Sequence, residues 1–576
     1  MGEGKLDQLE RRGAELDNEY SFHRQFHMEL IDYFAPKRGR FTIDQNRKGK
    51  RESQRIINEH ALWAQNVLKQ GMMAGITNPA SQWVRLTVDD RRLAELGNVK
   101  AWLDIVTKDM NGVFLKSNLY KVLPTIYGDM SVVSTAAMLV EDDFEDVIRT
   151  SSLPIGSYKI SANKRGKVDT VKREFKMTVR QLIEKFGFEE DEPFVEENID
   201  WSKFSKKVRM FWDKGQRETW VDVVHIILPN EEHDPTKLEA KFKRYASFYY
   251  ERALARNSNG EDQFLRESGM DRFRILVPRW ETTGEDAWGS MCPAIKAIGA
   301  QRALQTVERR LAQADELGIN PPLKFPASLK KKNNPSTPGA RIYTDESNDK
   351  DSIRSLFDVN FDKGSIGDRI LRHQEAIDQA FHKRAFIAIS DLEGSSRTAT
   401  EINARLQESR LMIAGTLINI QDDLLEPLVD ITYDAMEEQG LIPPPPDELQ
   451  GVELKVEFLG ILAQAQKSVS LTGLQTFYED VGTVANVTQD PTVWDKVDTE
   501  QLIDELAEAG GVTPSVVVSD EEVSIIKQQR AEAEAARFQA EQMATLAGSA
   551  KDLSQTDITT DNALTALADN VNAGTP

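Results

Sequence analysis

Residues 398–446 have the sequence TATEINARLQESRLMIAGTLINIQDDLLEPLVDITYDAMEEQGLIPPPP. The first turn carries a capping box, with Thr398 three residues before Glu401. Apolar residues then recur at the spacing of one helix face, namely Leu406, Ile413, Leu417, Ile420, Leu424, Leu428, Ile431 and Ala435. Gly440 and the prolines after it end the pattern. The spacing predicts one helix of roughly 60 Å, which is typical of an elongated assembly.

A proline lies inside this predicted helix, and a strand is predicted after it. Pro427 lies inside the helix, and a proline there predicts a kink near residues 423–427 because it cannot donate the backbone hydrogen bond. Beyond the proline-rich break, residues 452–459 alternate between apolar and polar, which predicts a strand.

Composition sets the class of protein. The chain has 576 residues, 40% hydrophobic and 29% charged, which predicts a folded protein larger than one ordinary domain. We expect no membrane-spanning helix and no signal region. The single cysteine, Cys292, fits a reducing compartment and excludes an intramolecular disulfide. A net charge of −21 argues against a protein that grips nucleic acid over most of its surface.

Upstream of residue 285 the pattern predicts a mixed α+β region. Helices are predicted near residues 5–35, 53–74 and 98–127, and a short one is capped by Thr178 and Gln181 and ends at Gly187. Strands are predicted at 132–140, 147–149, 158–160, 221–228, 245–251 and 273–280.

A helix, an insert and a second helix come next. The helices are predicted at 291–318, with Pro293 in its first turn, and at about 365–389. The insert at 319–363 is rich in Pro, Lys, Asn and Ser and has strand candidates at 341–343 and 356–359. Residues 464–518 are predicted to be helical, and Ser519 and Glu522 cap a further helix to about residue 547.

The sequence contains no convincing catalytic motif. No phosphate-binding loop or nucleophile elbow is present. His23 and His27 are spaced like metal ligands, but Arg24 stands where a zinc protease needs glutamate. The acidic residues 141–143 suit either a divalent ion or, as we favour, a turn at a strand end. We therefore expect no enzyme activity, no catalytic residue, no metal and no cofactor.

Short segments along the chain resemble one family, the portal proteins or head-to-tail connectors of short-tailed bacteriophages. The resemblance covers roughly residues 15–470. It rests on Asn78-Pro79 with Trp83, Ser134-Thr135-Ala136-Ala137-Met138, Pro154-Ile155-Gly156-Ser157-Tyr158, Thr178-Val179-Arg180-Gln181, His225 with Pro229-Asn230, Thr400-Glu401, Asp422-Asp423-Leu424-Leu425-Glu426-Pro427-Leu428 and Leu462-Ala463-Gln464-Ala465-Gln466.

This resemblance implies an α+β, mainly α-helical subunit that assembles into a ring. The implied parts are an N-terminal α+β wing region (1–290), a stem helix (291–318), a clip (319–363), a second stem helix (364–389), a tunnel loop (390–397), a long wing helix with a return strand (398–463), a helical crown (464–518), a barrel-like helix (519–547) and a disordered tail (548–576).

The resemblance also implies the function and the partners. A ring of twelve copies at one capsid vertex would let double-stranded DNA pass in packaging and ejection, without sequence specificity. It would dock the terminase motor and then a tail adaptor, and would meet capsid and scaffolding proteins. The protein would be made in the host cytoplasm and end in the virion. An elongated helical adaptor or scaffold without a DNA channel is the alternative.

Two groups of residues are the site candidates on this basis. Candidates for the DNA channel and tunnel loop are Lys383, Arg384, Asp391, Glu393, Gly394, Ser395, Ser396 and Arg397. Candidates for clip docking are Lys330, Lys331, Lys332 and Arg341. The alternatives are a plain loop between helices for the first group and a solvated loop tip for the second. The basic run at 37–55 favours a subunit or solvent contact over DNA.

Overall fold

The computed structural model describes residues 4–41, 56–94, 96–188, 196–237, 239–252, 262–320, 363–383 and 414–459. It also describes residues 323–326, 341–344, 354–355, 477–478, 480–484, 497–498, 501–503, 518 and 520–555. The chain divides into two compact units. The first unit is Met1–Leu86, Ile105–Pro444 and Val456–Trp494, and the second is Thr87–Asp104, Pro445–Lys455 and Asp495–Pro576.

The fold is α+β and mainly helical, as predicted. The helices in chain order are α1 (Lys5–Phe34), α2 (His60–Ile76), α3 (Arg91–Ala94), α4 (Gly97–Lys116), α5 (Leu119–Val133), α6 (Val179–Phe186), α7 (Lys206–Asp213), α8 (Pro293–Ile319), α9 (Lys363–Ala380), α10 (Ala414–Ile420), α11 (Glu426–Glu438) and α12 (Asp520–Gln555).

The strands form small sheets. They are β1 (Val84–Val88), β2 (Ala137–Asp143), β3 (Val147–Leu153), β4 (Tyr158–Ala162), β5 (Val168–Thr178), β6 (Trp220–Pro229), β7 (Tyr245–Glu251), β8 (Arg266–Met270), β9 (Ile275–Leu276), β10 (Leu323–Pro326), β11 (Arg341–Thr344), β12 (Arg354–Ser355) and β13 (Leu454–Phe458). Their orders are β4-β5-β6-β7-β8, β3-β2-β9, β11-β10-β12 and β1-β13.

The five-stranded antiparallel sheet is covered on both faces. Side chains alternate between the two faces along each strand, and apolar residues of β6 lie on each face. In β6, Val221 and Val223 point into a core with α6 and α7. Val224 and Ile226 point to the other face, where they meet Leu6 of α1. The sheet is therefore the middle layer between α1 and the pair α6–α7.

The capping box predicted at Thr178 is present at the start of α6. The hydroxyl of Thr178 accepts a hydrogen bond from the backbone N–H of Gln181, and the side chain of Gln181 accepts one from the N–H of Thr178. The two bonds satisfy backbone donors that a helix start leaves without partners. They join the end of β5 to α6.

Strand β5 was missed from the sequence because charged residues mask its alternation. Lys172 and Arg173 are both buried there. Lys172 is stabilised by Asp17 at 2.7 Å and Glu174 at 3.1 Å, and Arg173 donates to His225 at 2.8 Å. Cations are rarely buried without partners, and two of these partners, Asp17 and His225, lie far away in sequence. Strands β1, β8 and β10 and helix α7 were also not predicted.

The region 98–140 also differs from its prediction. One helix was expected at 98–127, but the structure has two, and the helix is interrupted at Asn118. The Asn118 side chain accepts a hydrogen bond from the backbone N–H of Thr150 at 2.8 Å. A strand was expected at 132–140, but residues to Val133 belong to α5 and the strand begins at Ala137. A mostly apolar run without clear alternation is compatible with a buried helix or a buried strand, so periodicity cannot separate them.

The helix predicted at 365–389 ends earlier, at Ala380. The N–H of Phe381 still bonds to Ile377, and His382 then takes a positive φ of 50°. A residue with left-handed backbone commonly ends a helix. Lys383 is helical again, and residues 384–413 lie outside the described chain, as does the capping box at Thr398.

The predicted kink coincides with a π-helical stretch. Between α10 and α11, residues Gln421–Leu425 are π-helical, and the N–H of Glu426 donates to the carbonyl of Gln421. Pro427 follows directly and has no N–H to give to the carbonyl of Asp423. The wider turn accommodates the proline without ending the helix.

The last described helix is longer than predicted. Helix α12 extends to Gln555, so its end lies in the segment expected to be disordered. Its side chains from Ser524 to Thr545 are all exposed. Residues 556–576 lie outside the described chain.

A buried ion pair anchors the chain after α1. Arg38 donates from Nε to both carboxylate oxygens of Asp129, at 2.9 and 2.8 Å, and its Nη2 lies 2.7 Å from Asp129 Oδ2. Its Nη2 also donates to the carbonyl of Leu153. The Asp129 side chain is only 5% exposed. Arg38 belongs to the basic run at 37–55, so this part of the run stabilises the fold of the subunit itself.

Removing the charge of Asp129 tests this anchor. We expect Asp129→Asn to lower the free energy of unfolding by about 2–4 kcal/mol, because it leaves the Arg38 guanidinium without its counter-charge. The exposed pair Arg180–Glu184 supplies the control, and Glu184→Gln should cost less than about 0.5 kcal/mol. Apparent Tm values from thermal scans compare the two. Equal shifts for both variants would contradict the anchoring role of Arg38.

Candidate functional site

The predicted site residues lie mostly outside the described chain. This applies to Arg384, Asp391, Glu393, Gly394, Ser395, Ser396 and Arg397 of the tunnel loop and to Lys330, Lys331 and Lys332 of the clip. Arg341 is described by its backbone position, as the first residue of β11. Lys383 is described with its side chain and lies just beyond α9.

Lys383 is held by contacts within its own chain. Its ammonium lies 2.8 Å from Asp378 Oδ2 and 4.2 Å from the ring centre of Trp63. The other oxygen of Asp378 lies 2.8 Å from His60 Nε2. Asp378 therefore links the end of α9 to the start of α2, and Lys383 contributes a paired charge upstream of the predicted tunnel loop at 390–397.

Helices α8 and α9 pack on each other, and α8 is attached to the segment before α2 through Gln305. Gln305 Oε1 accepts from the backbone N–H groups of Ile57 and Asn58 at 2.6 and 3.0 Å, and its amide donates to the carbonyl of Asn58. Asn58 donates in turn to Glu308 at 2.7 Å. The buried amide satisfies backbone groups that precede a helix start. The α8–α9 pair is thus fixed to the body of the first unit.

The charges on this helix pair nearly balance, unlike those of the whole chain at −21. The two helices carry seven basic and six acidic residues. They are Lys296, Arg302, Arg309, Arg310, Lys363, Arg369 and Arg372 against Glu308, Asp315, Glu316, Asp368, Glu375 and Asp378. A surface of this kind offers a phosphate backbone weak contacts and little net attraction.

The start of α8 is held by residue Ser134, which has left-handed backbone with φ of 60°. The Ser134 hydroxyl donates to the carbonyl of Met291 at 2.8 Å, and the Ser134 carbonyl accepts from the N–H of Trp280 at 2.8 Å. Next to it, the hydroxyl of Thr135 accepts from the N–H of Gly289 at 2.8 Å. The turn after α5 thereby fixes both ends of the segment that leads into α8.

This contact leaves no room for a side chain at position 289. A Cβ placed on Gly289 would lie 2.4 Å from the Ser134 carbonyl oxygen and from its hydroxyl oxygen. Cys292 is buried one residue before α8, and burial raises the pKa of its thiol to about 12. The thiol donates weakly to the carbonyl of Val132 at 3.3 Å. Cys292 is therefore a buried structural residue.

A second buried ion pair joins this segment to the π-helical stretch. Arg279 donates from Nε and Nη2 to the two oxygens of Asp423, at 3.1 and 3.3 Å. The two side chains are 6% and 15% exposed. Asn419 adds a hydrogen bond to the carbonyl of Trp280 at 3.2 Å. The long helix region and the segment before α8 therefore behave as one joined structure.

Aromatic rings fill the space between α1 and this segment. The ring of Trp288 lies 4.9 Å from Tyr20, 5.5 Å from His27 and 5.8 Å from Tyr158, measured between centroids. His23 Nε2 lies 2.8 Å from Asp286. Burial, with a smaller effect of His23, lowers the pKa of His27 to about 3, so its imidazole is neutral. The two histidines thus belong to a packed aromatic cluster.

The described chain offers little for other chemistry. No group of three or more His, Cys, Asp or Glu side chains within it is placed to hold a metal ion. Among the helices in the described ranges, none has the length and apolar character to cross a membrane.

Sequence reasoning missed how the matching segments meet. Ser134, Pro154-Ile155-Gly156-Ser157-Tyr158 and Asp422-Asp423 had each been singled out, but separately. In the structure Tyr158 donates to the carbonyl of Thr135 at 3.4 Å and stacks on Trp288. The available signal was a charged residue, Asp423, beside the apolar stripe of a helix. Its partner Arg279 has no local pattern that identifies it.

Comparison with known proteins gives a consistent result. A family described as "Bacteriophage head to tail connecting protein" matches residues 6–518. The chain is 37% identical to the portal protein of Salmonella phage epsilon15 over 571 residues, which is 99% of each chain. It is 36% identical to the probable portal protein of Bordetella phage BPP-1 over 537 residues, 93% of each chain.

The close packing at Gly289 leads to a paired test. We expect Gly289→Ala to lower the free energy of unfolding by about 1–3 kcal/mol, because the new methyl group displaces Ser134 or the α8 segment. Gly112 on α4 has open space around it, so Gly112→Ala should raise stability by up to about 1 kcal/mol. Thermal scans with near-UV circular dichroism measure both. A neutral result at position 289 would show that the contact is not needed.

Burial of neutral His27 predicts a loss of stability in acid. Its folded pKa is about 3, whereas an unfolded histidine has a pKa near 6.5. At pH values between these two pKa values, His27 takes up a proton only in the unfolded state. The free energy of unfolding should therefore fall by up to about 1.4 kcal/mol per pH unit below pH 6.5. His27→Phe should flatten the pH dependence of Tm between pH 7.5 and 5, and exposed His233→Gln should not. Parallel curves for all three proteins would contradict this account.

Proposed function

The chain belongs to the family of bacteriophage head-to-tail connecting proteins, and on that premise we propose that it is a portal subunit. Copies of the chain form a ring, of twelve subunits, at one vertex of the capsid. Double-stranded DNA passes through the ring in packaging and in ejection. The ring docks the terminase motor first and a tail adaptor later. Capsid and scaffolding proteins surround it, and the assembled ring is part of the virion after synthesis in the host cytoplasm.

The proposed channel lining is the α8–α9 pair, as the stem. Seven bases and six acids on these helices give DNA weak contacts that can be exchanged as it slides. Contacts to phosphates position a duplex but do not read its bases, which suits a channel that must accept any sequence. The excess of acids elsewhere in the chain repels DNA from the rest of the ring.

We propose roles for the tunnel loop and the clip on the same premise. Lys383 lies upstream of the tunnel loop and is already paired with Asp378. The charges that face DNA would therefore be those beyond it, at Arg384, Asp391, Glu393 and Arg397, on the segment that also holds Gly394, Ser395 and Ser396. The small sheet β11-β10-β12 supports the clip, with Lys330, Lys331, Lys332 and Arg341 as the docking residues.

Helix α12 is proposed to associate with its copies as a barrel. A single helix with every side chain exposed from Ser524 to Thr545 lacks the packing that normally stabilises helices in proteins. Exposed apolar residues along it, such as Ile526, Phe538 and Met543, gain burial when copies pack together. The crown at 464–518 would lie before this helix in the chain.

The mechanism we propose is steric and electrostatic, without catalysis by this chain. A separate motor would hydrolyse ATP and move the DNA. One observation carries the proposal: the helix pair Pro293–Ile319 and Lys363–Ala380, with a small sheet between them, occurs in a chain similar to portal proteins over nearly its full length. An elongated adaptor without a channel is not favoured, because it does not account for that similarity.

Mass and imaging of the purified protein test the proposal. We expect light scattering to give about twelve times the chain mass of 65.0 kDa. Negative-stain images of the same peak should show a ring with a central hole. If the chain remains monomeric at low concentration, the same measurements after concentration and after addition of scaffolding protein decide the question. An oligomer without rotational symmetry about a hole would overturn the ring.

A further inference from the structure

The turn between β2 and β3 presents an aromatic side chain to solvent. Phe144 is 87% exposed at this turn, between Asp143 and Glu145. Single exposed apolar residues are common on protein surfaces. This one differs because the backbone that carries it is strained and braced, and because its flanking residues are acidic.

Strain is located at Val147, directly after the turn. Its φ is 68°, a value that β-branched residues rarely adopt. The N–H of Ile148 donates to the carbonyl of Asp146 at 2.8 Å across it, which makes a γ-turn of the uncommon, strained kind. Such strain persists only where the surroundings enforce it and clusters at functional sites.

The surroundings of the turn do enforce this conformation. Asp143 Oδ1 accepts from the N–H groups of Glu145 and Asp146 at 2.8 and 3.1 Å. Gln439, the residue after α11, donates to the carbonyl of Asp143 at 3.1 Å, and Lys116 of α4 donates to the carbonyl of Glu145. The turn is thereby fixed from the end of α11 and from α4, with Phe144 directed outward.

The turn carries negative charge as well as an apolar ring. The N–H groups of Asp146 and Glu145 lower the pKa of Asp143, so it stays ionised. Asp146 has Lys116 at 3.7 Å, whereas the carboxylate of Glu145 has no ion-pair partner among the described residues. We name residues 143–146 the Phe144 tip. A partner for this tip needs an apolar hollow with a basic rim.

A cleft with this character exists on the same unit. It encloses about 460 Å³. Its apolar walls include Tyr245, Phe273, Ile275 and Pro427. On the rim lie Lys164 and Arg165, from the exposed turn between β4 and β5.

The charges of this cleft are basic on balance. Lys167 and Arg244 also line it, opposite Asp422 and Asp423. Asp423 is already paired with Arg279. The side chains of Lys164 and Arg165 have no acidic partner within the described residues, so they are available to a carboxylate from outside the chain. We name this feature the basic cleft.

We propose that the Phe144 tip of one copy docks into the basic cleft of a second copy. The ring of Phe144 would enter the apolar hollow, and Glu145 would meet Arg165 or Lys164 at the rim. Phe144 is 87% exposed in its own subunit, so it does not occupy its own cleft. A tip and a cleft that are different surfaces make a head-to-tail contact, the type that closes a ring when repeated. The contact deepens the proposed ring and rests on it.

Truncation of Phe144 is the first test. We expect Phe144→Ala to raise the protein concentration needed for half-assembly at least about tenfold, as for a buried aromatic at an interface. Phe22 on α1 is 85% exposed and supplies the matched control, so Phe22→Ala should assemble like the unchanged chain. Both variants should keep the monomer Tm, because neither ring is packed in the subunit. Unchanged assembly of Phe144→Ala, or equal loss in both variants, would overturn the contact.

Charge exchange and crosslinking identify the cleft. We expect Glu145→Arg and Arg165→Glu each to weaken assembly, and the double variant to recover part of the loss, since a pair in contact is not additive. A photo-reactive phenylalanine at position 144 should crosslink to residues 163–168 or 273–277 of another copy. Crosslinks elsewhere within an intact ring overturn only this contact. An unchanged chain that never forms a ring overturns the proposed function and this contact with it.

Discussion

The left-handed backbone of Ser134 is the constraint on which the rest of the first unit depends. It lets the chain turn from α5 into β2, and its hydroxyl and carbonyl then hold Met291 and Trp280 on either side of Trp288. Pro293 begins α8 immediately afterwards. The direction in which α8 leaves the body of the subunit is set here, because a helix start is fixed by the backbone that precedes it. The absence of a side chain at Gly289 belongs to the same constraint.

Buried ion pairs then connect the elements around this turn. Arg38 with Asp129 and Arg279 with Asp423 each join segments far apart in sequence. Buried pairs contribute modestly to net stability because desolvation offsets their attraction, but they are costly to break. Each arginine also meets its carboxylate through two nitrogens, which fixes the relative position of the two segments. In the proposed ring every neighbour meets the same surfaces, so such positional control matters more than added stability.

Much of the helical architecture followed from the sequence. The apolar stripes predicted α1 and α8 closely, the capping box predicted the start of α6, and Pro427 indicated where the long helix departs from α geometry. These are local effects, decided within a few turns of chain. Strand β5 was not predicted, because Lys172 and Arg173 acquire buried positions only through Asp17 and His225. Of the candidate site, the sequence pointed to Lys383 but not to Asp378, which holds it.

By itself, the sequence determined the α+β, mainly helical class, the helix–insert–helix order and the family, because periodicity, caps and short motifs are properties of neighbouring residues. Only the tertiary structure decided which charged side chains are paired within the subunit and which face solvent. Arg38 in the basic run is paired with buried Asp129, whereas Glu145 and Arg165 face solvent. Composition counts these side chains alike. The physical reason is that the free energy of a charge depends on its burial and on the partners that lie within hydrogen-bond distance, and both are set by contacts between distant parts of the chain.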